Sequence, residues 1–282
     1  MRLSLVVMAY KQEGFIRDAV EAALAQDYPD LEIVLSDDCS PDNTFAIMEE
    51  MARSYDGPHR IVLNRNPQNL GLIGHVNQLF SLVSSDWLIY NAGDDMSEPH
   101  RARTIAEAIG RDDPHYVYSN VTDLDASGTP MPKQKNRTRP EALQQKSLPD
   151  LAKALSHALG ASSAWHRDLF ARFGPIVESS VFEDQVLMFR ARLLGRVSYL
   201  DDRLLRYRRS VGLSFQSKED RLKKLNQDLA ILRQRRADVQ LFCPDRRDIL
   251  NALERKSARR QRELDDVLSG RVADLVPADD DE

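Results

Sequence analysis

Apolar runs of strand length alternate with amphipathic runs of helix length through the N-terminal third of the chain, and this alternation limits it to a mostly parallel α/β sheet. Residues 3–8 form a nearly continuous apolar run, as expected of a strand covered on both faces. Ile16, Val20, Ala23 and Leu24 then recur at helical spacing. Residues 32–36 predict a second strand, followed by Ser40-Pro41, which reads as a helix N-cap and first helical position. Ile47, Met48 and Met51 supply that helix with its apolar face. A third strand is predicted at 60–63, a helix face at Val76, Leu79, Phe80 and Val83, and a fourth strand at 87–90. Strands joined through helices of this length imply right-handed crossovers and parallel neighbours.

Such sheets bind ligands beyond the carboxyl ends of their strands. Two acidic pairs stand at those ends, Asp37-Asp38 and Asp94-Asp95, so both are expected in one crevice. Adjacent carboxylates suit a hard divalent cation, Mn2+ or Mg2+, which takes oxygen ligands and shares them with phosphate. Turn-forming or helix-start acids would look the same, and Asp42 is best read that way. Glu183-Asp184 opens a predicted helix over 183–194. It offers either a general base or another helix-start acid.

Further along, 116–124 predicts a strand, Asp125-Ala126-Ser127-Gly128 a turn, and the polar stretch 130–149 a loop. A last strand is predicted at 197–200. Beyond Lys218, Leu222, Leu225, Leu229 and Leu232 form a 3-4-3 seam, and Cys243-Pro244-Asp245 breaks it. A second run carries Leu250, Leu253, Leu264 and Val267. The reading is a helical hairpin rich in Lys and Arg, ending in an acidic tail expected to be disordered. Its seam must bury against something. The catalytic domain is the expected surface; self-association and an anionic membrane are the other partners it suits.

With 42% hydrophobic and 29% charged residues the chain can bury a core and stay soluble. A net charge of -5 gives no reason to expect nucleic acid as a partner. Cys39 and Cys243 are the only cysteines and form no C-x-x-C. That argues against a disulfide framework or a zinc site and fits a reducing compartment. No run is long enough to span a bilayer, and the N-terminus reads as a strand with no cleavage site. A cytoplasmic protein, or one peripheral to the inner face of the membrane, is expected, so the sequons at Asn120 and Asn136 are chance. No phosphate-binding G-x-x-x-x-G-K-[ST], no G-x-G-x-x-G after a strand and no G-x-S-x-G occurs. The histidines show no ligand spacing.

Taken in order, these segments resemble family-2 glycosyltransferases of GT-A fold, which are mostly inverting. Residues 3–16 are similar to their opening strand and donor loop, and 33–44 (IVLSDDCSPDNT) to their D-D-G-S-x-D-x-T motif. Asn69-Leu-Gly71 with Asn77 resembles N-x-G-x(5)-N; Asn91-Ala-Gly-Asp-Asp95 resembles the metal-binding acidic motif. Glu183-Asp184 with Arg190 resembles E-D-x(5)-R, and Tyr207-Arg208 the Y-R that follows. The resemblance covers about residues 3–215, leaving the hairpin outside it.

The resemblance implies a sheet with helices on both faces, to which the leucine seam adds the C-terminal helical hairpin. It implies a nucleotide-sugar-binding half at 1–100 and an acceptor-side half at 101–216 of one catalytic domain; the hairpin is at 217–270 and the tail at 271–282. Ala9, Tyr10 and Glu13 would line base and ribose, Asp38 with Asp37 would bind the base, and Asn69 and Asn77 would belong to the donor site. Asp94 would contact ribose, Asp95 would coordinate Mn2+ or Mg2+, and Asp184, supported by Glu183, would be the catalytic base. The implied reaction moves a hexosyl-type sugar, with inversion, from a nucleotide-diphosphate donor to a saccharide, lipid-linked or protein acceptor, in surface polysaccharide or glycoconjugate synthesis. Four positions depart from the pattern: Cys39 for Gly, Ala92 for Asp, Val76 for Arg and Ser210 for His. A non-catalytic nucleotide-sugar-binding scaffold therefore remains an alternative. A nucleotide-sugar pyrophosphorylase would need a Gly-rich, Arg-containing loop where Tyr10-Lys11-Gln12-Glu13 stands.

Overall fold

The computed structural model describes residues 1–132, 142–155, 158–209 and 221–271. The expected boundary at 216/217, Ser210, Asn136 and nearly all of the tail lie outside these residues. The elements run β1 (Leu3–Ala9), α1 (Ile16–Leu24), β2 (Leu31–Asp37), α2 (Thr44–Ser54), β3 (Arg60–Arg65), α3 (Gly71–Leu82) and β4 (Trp87–Ala92). There follow β5 (Met96–Ser97), α4 (Arg101–Asp112), β6 (Tyr116–Leu124), α5 (Ala142–Gln145), α6 (Leu148–Lys153) and β7 (Ser163–His166). The chain continues with α7 (Asp168–Ala171), α8 (Glu183–Leu194), β8 (Val197–Arg208), α9 (Arg221–Phe242) and α10 (Arg247–Leu268).

One eight-stranded sheet runs in the order β3-β2-β1-β4-β7-β6-β8-β5. The β3-β2-β1-β4 half is parallel. β7 pairs antiparallel with both β4 and β6, and β6 is parallel to β8. Side chains of β1 alternate between the two faces, as the two-residue period of a strand requires. Leu3, Leu5 and Val7 pack in the core under α1, α2 and α4; Val6 and Met8 pack in the core under α3, α8, α9 and α10.

The first four strands and the helix at 183–194 match the sequence reading closely. Ser40 departs from it: α2 starts at Thr44, and the Ser40 hydroxyl instead donates to Asp37. The last strand is longer than 197–200 because bulges on either side of the Asn120–Arg203 pair absorb Asp201, Asp202 and Leu204 and let pairing resume at Leu205. The expected loop at 130–149 contains α5 and the start of α6, where Ser147 caps the helix by accepting from the Asp150 N–H. Local capping thus outweighed the low apolar content.

The hairpin packs on the α/β body. Ala230, Ile231, Leu232 and Val239 of α9, with Ile249 and Leu253 of α10, share the core of α3 and α8. Leu225 and Leu229 pair with Leu264 and Val267 farther along the hairpin. Asp228, Gln234, Arg235 and Asp238 on α9 are buried as well. No described helix is long and apolar enough to cross a membrane.

Candidate active site at the carboxyl edge of the sheet

Strand β1 lies between the two acidic pairs. Ala9 is in register with Asp37, and Met8 with Ala92. The Asp38 N–H donates to the Ala9 carbonyl at 3.0 Å, and the Gly93 N–H to the Met8 carbonyl at 2.9 Å. Gly93 is required by this closeness, because a Cβ there would overlap the side chain of Gln12 and press on Ala9.

The loops after β1 and β2 are laced together. Ser40 Oγ accepts from the Lys11 N–H at 2.9 Å and Thr44 Oγ1 from the Gln12 N–H at 2.8 Å. Glu13, expected at the base and ribose, commits Oε2 to the backbone N–H and side-chain amide of Asn43, both at 3.0 Å. Asp37 is fully buried; it takes the Ser40 N–H and hydroxyl and faces the Arg65 guanidinium at 3.6 Å. Its role is to fasten the turn. Asp38 accepts from Asn66 Nδ2 and the Leu70 N–H, at 2.8 and 2.9 Å, and so braces the next loop. Cys39 adopts φ 59° although it carries a side chain. The departure from Gly therefore leaves the left-handed turn intact and strained.

The N-x-G segment also has a local cause. Asn69 Oδ1 accepts from the Gly71 N–H at 2.8 Å, and Gly71 takes φ 70° at the start of α3. Asn77, expected in the donor site, bonds the backbone of Ile176 through its amide in both directions, each at 2.9 Å. It therefore pins the 174–178 loop. Val76 is fully buried under the sheet, so a diphosphate contact from that position is not available.

A second group of acids gathers around Tyr90. This ring is stacked on Trp165 at 4.9 Å. Burial first, then Glu183, Asp94, Asp95 and Asp184, push its phenol well above the usual range. Asp37 and Asp38 act instead on His75, whose ring bonds Ser36 at 2.6 Å. The acids of the two strand ends thus form two neighbouring clusters.

Asp94 and Asp95 are both buried. Burial raises Asp94 to about 6, against the Arg208 cation and the Gln12 side chain. Burial, then the charge of Asp94, raises Asp95 well above the usual carboxylate range. Oδ1 of Asp95 accepts from the Arg208 N–H at 2.8 Å. Oδ2 is buried with no partner among the described residues, a deficit that a divalent cation would satisfy. Asp95 and Asp94 therefore fit the Mn2+ or Mg2+ that the acidic motif implies. Arg101 lies fully buried beneath the turn, bonded to Asn91, Ser97 and the carbonyls of Tyr90 and Ala161. Burial lowers its guanidinium to about 9, opposed by the charge of Asp95.

Asp184 sits on the first turn of α8. Its Oδ2 accepts from the Gly160 N–H at 3.1 Å. Burial raises its carboxyl to about 7; the Gly160 and Gln185 N–H groups and the Arg235 cation pull the other way. A Cβ on Gly160 would overlap Oε1 of Glu183 and press on Asp184 Cβ, so glycine lets the 160–162 turn lie against both acids without displacing the Glu183 carboxylate. Tyr90, Arg101, Gly160 and Arg235 all escaped the sequence reading. A lone Gly or Arg has no spacing that announces it. The histidines likewise gave no pattern, yet His115, His166 and Asp168 meet at the opposite edge of the sheet. There Arg172 holds Asp168 at 2.9 Å, and the Asp168 N–H occupies Nδ1 of His166.

Three comparisons bear on this arrangement. The family model described as Glycosyl transferase family 2 matches residues 4–174, more than half of the chain. An uncharacterized glycosyltransferase of Nostoc sp. is 23% identical over 219 residues, 74% of this chain and 65% of that protein. The chain thus spans just under two thirds of that relative. Among solved structures, S. aureus TarS 1-349 in complex with UDP-GlcNAc aligns with a TM-score of 0.67 at 17% identity, over 93% of this chain and 72% of that one. The mannosyltransferase PcManGT from Pyrobaculum calidifontis, in complex with GDP-Man and Mn2+, aligns with a TM-score of 0.60 at 15% identity, over 96% and 79%. The fold is that of these GT-A proteins.

Proposed function

This chain belongs to glycosyl transferase family 2, and from that premise we propose that it transfers a hexosyl-type sugar, with inversion, from a nucleoside-diphosphate donor to an acceptor hydroxyl. The observation that carries the reading is Asp184: buried, held by the Gly160 N–H, raised to about 7, and grouped with Asp94 and Asp95 around Tyr90.

A single displacement needs the acceptor proton removed as the new bond forms. Asp184, with Glu183 beside it, takes that proton; a carboxylate titrating near neutrality is suited to the task. The acceptor oxygen bonds to the anomeric carbon, and the bond from that carbon to the β-phosphate oxygen breaks. Its electron pair leaves with the nucleoside diphosphate. Mn2+ or Mg2+, when bound by Asp95 with Asp94, would supply positive charge to the departing diphosphate. Asp38, Ala9 and Tyr10 form the base-proximal wall, and Asp94 lies toward the ribose. Asp37, Glu13, Asn69 and Asn77 shape and brace the surrounding loops. The acceptor is a saccharide, lipid-linked or protein hydroxyl, and surface polysaccharide or glycoconjugate synthesis on the cytoplasmic side is the matching setting.

The donors printed for TarS and PcManGT supply the first probes. UDP-GlcNAc and GDP-Man, each with and without Mn2+, are tested for raising the melting temperature and for enzyme-dependent release of UDP or GDP. A metal-dependent shift with release supports transfer. Tight binding without release, with any acceptor supplied, would sink it in favour of a binding scaffold.

A further inference from the structure

The C-terminal hairpin lies beyond residues 4–174 and takes no direct part in the proposed chemistry, yet it reaches the backbone that carries Asp184. Arg235, on α9, is 1% exposed. Its Nε and one Nη donate to the carbonyl of Gln185, the residue after Asp184, at 3.2 and 2.9 Å. The other Nη donates to the carbonyls of Leu151, Ala152 and Ala154 at the end of α6. Gln185 adds a parallel tie, donating from Nε2 to the Leu155 carbonyl at 2.9 Å. The guanidinium therefore fastens the first turn of α8 to the end of α6.

The helix that carries it is anchored by neighbouring side chains. Asp238 pairs with Arg190 of α8 at 3.0 Å, with both side chains buried. Gln234 donates to Asp238 and accepts from the N–H groups of Val177 and Glu178. Few other groups could replace Arg235. It presents a planar fork of donors to carbonyls on two separate segments, which a lysine ammonium cannot span.

We propose that Arg235 is a positioning residue for Asp184, holding the α8 first turn against the end of α6, in the place where Asp184 meets the Gly160 N–H, so that the hairpin forms part of the catalytic machinery. This rests on the reading of Asp184 as the base. A displacement of about 1 Å at a reacting group can lower turnover about 100-fold without touching the ligand, which sets the expected signature.

The test uses the full chain with whichever of UDP-GlcNAc or GDP-Man it turns over, following nucleoside diphosphate release. R235M lowers kcat at least about tenfold while the donor KM stays within about twofold. Introduced into D184N it lowers kcat no further, because the group it positions is already gone. Deuterium uptake at the peptide containing Gly160 rises in R235M, and uptake at β1 does not. If R235M fails to fold, R235K, which keeps the cation but not the fork, shows the same kcat-only loss at smaller size. Additive losses in the double variant, a matching rise in donor KM, or unchanged uptake at Gly160 would overturn the proposal. Near-normal turnover in D184N alone would overturn the base assignment instead, so the two failures are distinguishable.

Discussion

The backbone N–H of Arg208 donates to Oδ1 of Asp95 at 2.8 Å, joining residues 113 positions apart in the chain. One oxygen of Asp95 is thereby held by the end of β8, while Oδ2 stays buried without a partner among the described residues. Asp95→Ala should remove cation-dependent binding of a nucleoside diphosphate while far-ultraviolet circular dichroism is unchanged. Calorimetric titration of UDP or GDP in Mn2+ checks it. The expected loss is at least about tenfold in affinity, and an unchanged affinity would remove Asp95 from the metal site.

Asp184 sets the pH dependence of turnover. A base must be deprotonated to act, so kcat should rise with pH through about 7 and level off above. Asp184→Asn should lower kcat at least about 100-fold and abolish that limb. A limb that persists in the variant would assign it elsewhere.

Stability should run the other way. Folding raises the carboxyls of Asp94 and Asp184 from 3.8 to about 6 and about 7. Their contribution is fully present below the unfolded value, where both states are protonated. As pH rises the unfolded chain ionises first, and the contribution is lost through the folded values. The metal-free melting temperature should therefore fall from about pH 4 to 7, and Asp184→Asn should flatten part of the fall. Melting curves across that range decide the point.

Gly160→Ala should act at the same place without changing any acid. The added Cβ displaces Glu183 and the turn whose N–H holds Asp184. A loss of roughly 10- to 100-fold in kcat is expected, with donor affinity preserved. Equal weakening of donor binding would mean that the turn serves the donor.

Asn77 should matter for folding alone. Asn77→Ala leaves the Ile176 N–H and carbonyl without their partner and should destabilise by about 1–3 kcal/mol. Thermal melting measures this, and donor titration should show no change. A tenfold weaker donor would return Asn77 to the pocket.

Cys39 gives the opposite sign. Its φ of 59° is strained for any side chain, and glycine relieves that strain while loosening the unfolded chain. The net should be a gain of about 0.5–1 kcal/mol for Cys39→Gly, read from denaturant midpoints. A loss would show that the cysteine's packing outweighs its backbone strain.

The sequence by itself determined the alternating elements, the acids at the ends of β2 and β4, and the start of α8 at Glu183. These are local: a strand's apolar run, a helix's spacing and a strand-end acid are written in neighbouring residues. The turn at Asn69 and Gly71 is local too, but that Gly71 opens α3 appeared only in the structure. What each acid does was decided only by the tertiary structure. Asp37 and Asp38 look alike in the chain, yet one fastens a turn through Ser40 and the other braces the loop at Asn66. The bulge in β8, the packing of the hairpin against α8, and the meeting of Asp184 with Gly160 and of Gln185 with Arg235 join residues far apart in sequence. Burial then raised the carboxyls of Asp94 and Asp184 toward neutrality. Desolvation depends on everything that packs around a group, and no spacing along the chain records it.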